Sequence, residues 1–140
     1  MLRKFITGRV MIPIILCLQI LPLLLFPASS FSITSQELWL PLLLSLLTVI
    51  ALVQLLLRKN LAAWPWYLLA FSQGFNIISR MMTLFPHATV SGQDGELQAN
   101  GSYVLVAIVA MLLSAFEIWY GDLPEVRQKL ASRSATPKTA

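Results

Sequence analysis

Charge is scarce in this sequence. Ten basic and six acidic residues make up 11% of the 140, where soluble domains carry nearer a quarter. So few charges cannot cover a chain that is 57% hydrophobic, with a mean hydropathy of +0.75, and a water-facing surface is excluded. Cysteine occurs once, at Cys17, which rules out an intramolecular disulfide and a cysteine-based metal centre. Histidine also occurs once, at His87, so neither a bis-histidine haem nor a multi-histidine metal site can form within one chain. The GxSxG and HExxH patterns are missing, and Gly92-Gln93-Asp94-Gly95 has neither the length nor the lysine of a phosphate-binding loop. No cofactor is implied. A lipid-active enzyme built on Arg80, Asn76 and Gln73 is the lesser alternative, because no general base or nucleophile accompanies them.

What the chain has instead is long apolar runs, each near the roughly 20 residues that cross about 30 Å of hydrocarbon. The expected fold is all-α, an integral membrane four-helix bundle forming a single domain over residues 1–131. Its helices are predicted over about 10–26, 38–57, 64–85 and 102–120. Pro22 should kink the first, and Thr34 with Glu37 has capping-box spacing before the second. Pro86 should end the third. Gly121 suits the stop of the fourth, and Pro124 blocks its simple continuation. Residues 87–101 hold Gly92, Asp94, Gly95, Asn100 and Gly101, which read as a turn-rich loop. Asn100-Gly101-Ser102 has the form of a glycosylation acceptor, but at a helix edge a turn is the better reading. Leu123, Val126 and Leu130 fall at i, i+3 and i+7, predicting a short helix over about 123–131 that rests on the membrane surface. Residues 132–140 read as a disordered tail. Strands are excluded from the apolar runs, which lack the alternation of a membrane barrel.

The basic residues are sorted. Arg3, Lys4 and Arg9 precede the first segment, Arg58 and Lys59 lie between the second and third, and Arg127, Lys129, Arg133 and Lys138 follow the fourth. The opposite loops carry only Glu37, Asp94, Glu96 and His87. Excess Lys and Arg mark the cytoplasmic side, so both termini are expected in the cytoplasm of a multi-pass protein of the plasma membrane, the inner membrane in a bacterium. The same sorting turns the net charge of +4 into membrane-flanking charge and argues against a nucleic-acid partner. Trp64, Trp66, Tyr67, Trp119 and Tyr120 would form an inner aromatic belt, with Trp39 and Tyr103 at the outer one. A basic start, an apolar run and Ala28-Ser29-Ser30 also allow a cleaved signal peptide as an alternative for the first segment.

Polar residues within the runs are the candidate functional groups. Ser72, Gln73, Asn76, Ser79, Arg80 and Thr83 span an arc of about 120° on one face of the third helix, a face unsuited to lipid. An arginine at mid-bilayer costs about 2.5–3.5 kcal/mol, so Arg80 needs partners. Glu37, Asp94 and Glu96 are expected on its side. A structural pair or a snorkelled arginine is favoured over a substrate or anion contact. Glu117 shares a face with Ala107, Ala110 and Ser114, small residues that permit close packing. It is expected near the inner end, close to Arg58 and Arg9, as a pairing residue in preference to a proton or cation site. Gln19, Ser45 and Gln54 should each make a helix–helix hydrogen bond. The candidate functional set is therefore Gln73, Asn76, Arg80 and Glu117. Two functions fit: a non-catalytic subunit, scaffold or assembly factor associated with other membrane subunits, and a small homo-oligomeric transporter or channel lined by the third helix.

Overall fold

The computed structural model describes residues 1–26, 38–59, 62–91 and 97–135. It is 83% helical. In chain order the helices are α1 (Leu2–Ile6), α2 (Met11–Leu18), α3 (Ile20–Leu24), α4 (Trp39–Leu52), α5 (Trp64–His87), α6 (Gly101–Asp122) and α7 (Pro124–Ala135). A wider π turn over Val53–Leu57 extends α4, closed by Arg58 N donating to the Val53 carbonyl at 3.0 Å. With that phasing Leu55 enters the core while Leu57 is 76% exposed. α5 packs along α4 and α6, and the broken first segment packs against α4 and α6.

Several boundaries depart from expectation, each for a local reason. The first segment is not one kinked helix over 10–26 but two pieces parted at Gln19, three residues before Pro22. Proline has no N–H to give and its ring crowds the carbonyl four residues back, so the ladder opens there. Pro86 does not end the third helix, which runs on to His87. In a last turn it removes only the bond to Met82, and His87 Nδ1 donates to the Thr83 carbonyl at 2.9 Å. The loop after it contains a hairpin, β1 (Thr89–Ser91) antiparallel to β2 (Leu97–Ala99), with Val90 opposite Gln98. The turn residues Gly92, Asp94 and Gly95 lie outside the described residues, as do Thr34 and Glu37. Asn100 caps α6, its Oδ1 accepting from Tyr103 N at 3.3 Å. Gly121 falls inside α6, and the break comes at Leu123, with Pro124 opening α7 as a first-position proline can. α7 continues to Ala135, so residues 132–135 are helical, not tail.

One end of the molecule holds an apolar core. Ile12, Ile15 and Leu16 meet Leu52, Leu55 and Leu69, with Tyr120, Val126 and Leu130 closing it. The stripe on α7 is thus turned onto the protein's own core and does not face outward to a membrane surface. α1 is tied to the same end, where Tyr120 Oη donates to the Ile6 carbonyl at 2.7 Å and Lys129 Nζ to the Thr7 carbonyl at 2.6 Å. Tyr120 and Tyr103 are buried, which removes them from the aromatic belts. Tyr103 stacks on His87 at 5.1 Å and continues the small-residue face of α6.

The outer surface is apolar. Leu46, Phe71, Ile78, Met82, Phe85 and Leu112 are all more than half exposed. Trp39–Leu57 and Gly101–Asp122 are long and apolar enough to cross a membrane, and only 33% and 28% of their apolar windows are buried. Met11–Leu24 is apolar but shorter, even when counted through the Gln19 break. α5 has the length, but its polar stripe keeps it below that hydropathy.

Candidate functional site

The polar stripe of α5 faces inward. Ser72, Gln73, Asn76 and Arg80 are all at most 3% exposed, as their common helical face requires. Gln73, Asn76 and Arg80 are spaced 3 and 4 apart, so they rise together along one side of α5. Opposite them run the carbonyls of the broken first segment. Gln73 Nε2 donates to the Gln19 carbonyl at 2.7 Å, and Asn76 Nδ2 reaches the Pro22 carbonyl at 3.4 Å. Arg80 Nη2 donates to Pro22 at 2.8 Å and to Leu25 at 2.6 Å. Residues 73, 76 and 80 therefore climb a ladder of acceptors at 19, 22 and 25.

Those acceptors are open for a reason. Gln19 sits at the break in the segment, Pro22 lies in the last turn of α3 and Leu25 just past its end, where a helix leaves its last carbonyls without internal partners. An unpaired carbonyl away from water costs about 1–3 kcal/mol. The side chains of α5 supply the missing donors. Arg80 is anchored further: its Nε donates to Asn76 Oδ1 at 3.1 Å, and its Cζ lies 4.2 Å from the centroid of the Phe26 ring, a cation–π distance. The expected acidic partners Glu37, Asp94 and Glu96 lie outside the described residues. Ser79 and Thr83 bond back to carbonyls of their own helix.

The network reaches α6 through Asn76, whose Nδ2 also donates to Ser114 Oγ at 2.9 Å. One turn further on is Glu117, 4% exposed, on the face it shares with Ala107, Ala110 and Ser114. Its partner is not Arg58 or Arg9 but the side chain of Gln19, which hydrogen-bonds the carboxylate. Gln19 thus joins the two halves, giving its carbonyl to Gln73 and its amide to Glu117. Gln73, Asn76, Arg80 and Glu117 belong to one buried polar spine linked by Gln19 and Ser114, with Arg80 and Glu117 at its two ends. A helix–helix hydrogen bond is what the sequence predicts for Gln19; its place as the junction of the spine is not. Its position three residues before a mid-segment proline was the available signal.

Three acceptors near the Glu117 end have no hydrogen-bond partner among the described residues: Gln19 Oε1, Gln73 Oε1 and Glu117 Oε2. Gln19 and Glu117 also line a cavity of about 270 Å³ walled by Trp66 and Trp119. Arg127 stands beside it, its Cζ 5.4 Å from the Trp66 ring and its Nη2 3.0 Å from Asp122 Oδ1. In α4, Ser45 and Thr48 do not make the interhelical bond expected of Ser45. Both hydroxyls are buried without partners among the described residues. No group of three or more His, Cys, Asp or Glu residues among the described residues could hold a metal ion.

Compared with known proteins, the chain matches no family model, no curated protein and no solved structure.

Proposed function

We propose that this protein is a four-crossing helix bundle of the plasma membrane, with both termini in the cytoplasm, serving as a non-catalytic subunit, scaffold or assembly factor of a membrane complex. The observation that carries the reading is the ladder from Gln73, Asn76 and Arg80 to the carbonyls of Gln19, Pro22 and Leu25. Irregular backbone is tolerated at membrane depth only where protein or a wet cavity satisfies it. Here the polar stripe of α5 does that, and so it is occupied with holding the bundle together. Its donors go to the protein's own backbone, which supports a structural use over a pathway or a substrate site. The first segment is apolar but too short for a spanning helix, and α5 is long enough but carries the polar donors of the ladder. What remains to meet the surroundings is the apolar exterior, suited to lipid and to other membrane helices. Arg9, Lys59, Lys129 and Arg133 gather around one recess, as a cytoplasmic end requires. Solubilisation in a mild detergent followed by affinity purification and mass spectrometry tests the role: a partner should copurify in fixed ratio. A chain that runs alone as a monomer would overturn it.

A second reading, a small oligomeric transporter or channel, is favoured by one feature alone. Glu117 is a buried acid at a cavity with an unpartnered oxygen, and intramembrane acids commonly serve proton and cation pathways. In reconstituted vesicles Glu117→Gln should then abolish proton or monovalent-cation flux without altering the fold. Vesicles in which the parent protein passes neither ion faster than empty ones would remove this reading.

A further inference from the structure

The guanidinium of Arg80 has three nitrogens, and the ladder uses two of them. Nε donates to Asn76 Oδ1, and Nη2 donates to the carbonyls of Pro22 and Leu25. Nη1 has no hydrogen-bond partner among the described residues. Unlike the orphaned oxygens of Gln19 and Gln73, it is not sealed off from its surroundings. A nitrogen with neither a partner nor a seal faces open space. That space is a cavity of about 260 Å³ where the first segment ends and α4 and α6 begin. The Phe26 ring covers the flat face of the guanidinium at 4.2 Å, so a ligand in the cavity would meet its edge.

The remaining walls decide what kind of ligand. Phe26 and Leu40 line the cavity and are only half-buried, and the buried Pro41 and Tyr103 line it too. Ser79 and Thr83 also reach it, but each hydroxyl donates to a carbonyl of α5. No acidic residue lines the cavity, and none hydrogen-bonds Arg80 among the described residues. A cation held out of water calls for an opposite charge, so the head of the ligand is an anion and its body is apolar. The volume lies just below the roughly 300–1,000 Å³ of sites for drug-sized molecules, which suits one narrow chain better than two. Arg80 also stands seven residues before the end of α5 at His87, about 10 Å along the helix. In a bilayer that is deeper than the phosphates of the headgroup layer. We propose that the cavity binds the carboxylate end of one long-chain fatty acid. Its carboxylate accepts from Arg80 Nη1, and its first methylenes lie against Phe26 and Leu40. The bound acid joins the end of the first segment to α4 and α5. This inference rests on the membrane reading above.

The test is native mass spectrometry of the full-length protein in dodecyl maltoside at alkaline pH, with oleate, oleyl alcohol or phosphatidylglycerol added. The parent protein should retain one oleate and release oleyl alcohol, which has the same chain without the charge. Leu40→Trp fills the cavity and spares the ladder, and it should hold oleate at least about tenfold more weakly. Leu46→Trp makes the same change on the exposed side of α4 and should bind as the parent does. Arg80→Gln, assayed once circular dichroism shows that it folds, should hold oleate no better than the alcohol. Equal retention of oleate and oleyl alcohol by the parent would overturn the ion pair. Equal loss in the two tryptophan variants would overturn the location. Preferred retention of phosphatidylglycerol would overturn the single-chain assignment, and displacement of oleate by millimolar acetate would overturn the lipid assignment. Oleate that binds only after Glu37→Gln, Asp94→Asn and Glu96→Gln would make one of those acids the native partner of Arg80 and would also overturn the site. A parent chain recovered in the aqueous fraction without detergent would instead overturn the membrane reading.

Discussion

Asn76 uses every polar atom of its side chain. Its amide nitrogen serves Ser114 Oγ and the Pro22 carbonyl, and its oxygen accepts from Arg80 Nε. Replacing it by leucine would leave Ser114 and one donor of Arg80 without partners in an apolar interior. At about 1–3 kcal/mol for each buried group left unpaired, and less where membrane helices can repack, Asn76→Leu should destabilise the protein by about 2 kcal/mol. Reversible unfolding in mixed micelles measures this, and a change under 0.5 kcal/mol would argue against the spine as a structural element. Thr48 is the converse case. It is fully buried with no partner for its hydroxyl among the described residues, so Thr48→Val, which keeps the shape and removes the orphan, should raise stability by about 1 kcal/mol. An unchanged or lowered midpoint would point to a ligand or water at that hydroxyl.

Among the elements, the first segment and α7 depend most on others. α2 and α3 together have only a short apolar run and an open ladder at Gln19, and their carbonyls are satisfied by α5. α7 is polar apart from one stripe, yet Val126 is wholly buried and Leu130 nearly so. Truncating a buried leucine costs about 2–5 kcal/mol, and α7 is held largely by this stripe. Leu130→Ala should therefore expose α7 to limited proteolysis before the rest of the chain, visible as early loss of a C-terminal tag. If the tag is cleaved no faster than in the parent, the docking of α7 rests elsewhere. At the turn between α1 and α2, a Cβ on Gly8 would lie 2.9 Å from the Phe5 carbonyl oxygen. Gly8→Ala must shift backbone, and a loss of about 1–3 kcal/mol is expected by analogy with overpacking, read in the same unfolding experiment.

For the whole molecule, a buried polar spine and a largely apolar helix exterior stand beside an apolar core and exposed charges at one end. The single cysteine makes this testable without further engineering. Cys17 is on α2 and exposed, which places its thiol against hydrocarbon if the bundle is membrane-embedded. In intact membranes a charged, impermeant maleimide should leave Cys17 unmodified, while the same reagent labels it fully in SDS. Rapid labelling in native membranes would mean that this surface meets water. Side-chain periodicity made much of the arrangement legible. The 3.6-residue spacing put Gln73, Asn76 and Arg80 on one inward stripe of α5, and Ala107, Ala110, Ser114 and Glu117 on another of α6. The partners of those residues were not legible, because the acceptors for α5 are backbone carbonyls, which every residue has. Whether a carbonyl is open depends on the path of a distant segment. The apolar stripe of α7 was visible but ambiguous, since the same pattern suits a membrane surface or the protein's own core.

Composition and spacing alone therefore determined that the chain is helical, where its apolar runs lie to within a few residues, and which faces of the third and fourth helices carry the polar groups. These follow from local backbone energetics and from the period of the helix. Only the tertiary structure decided that Pro22 opens the first segment at Gln19, that the donors of α5 close that opening, and that Glu117 is joined to the network through Gln19. The last two couple atoms more than fifty residues apart in the chain, and such coupling exists only once the helices have packed.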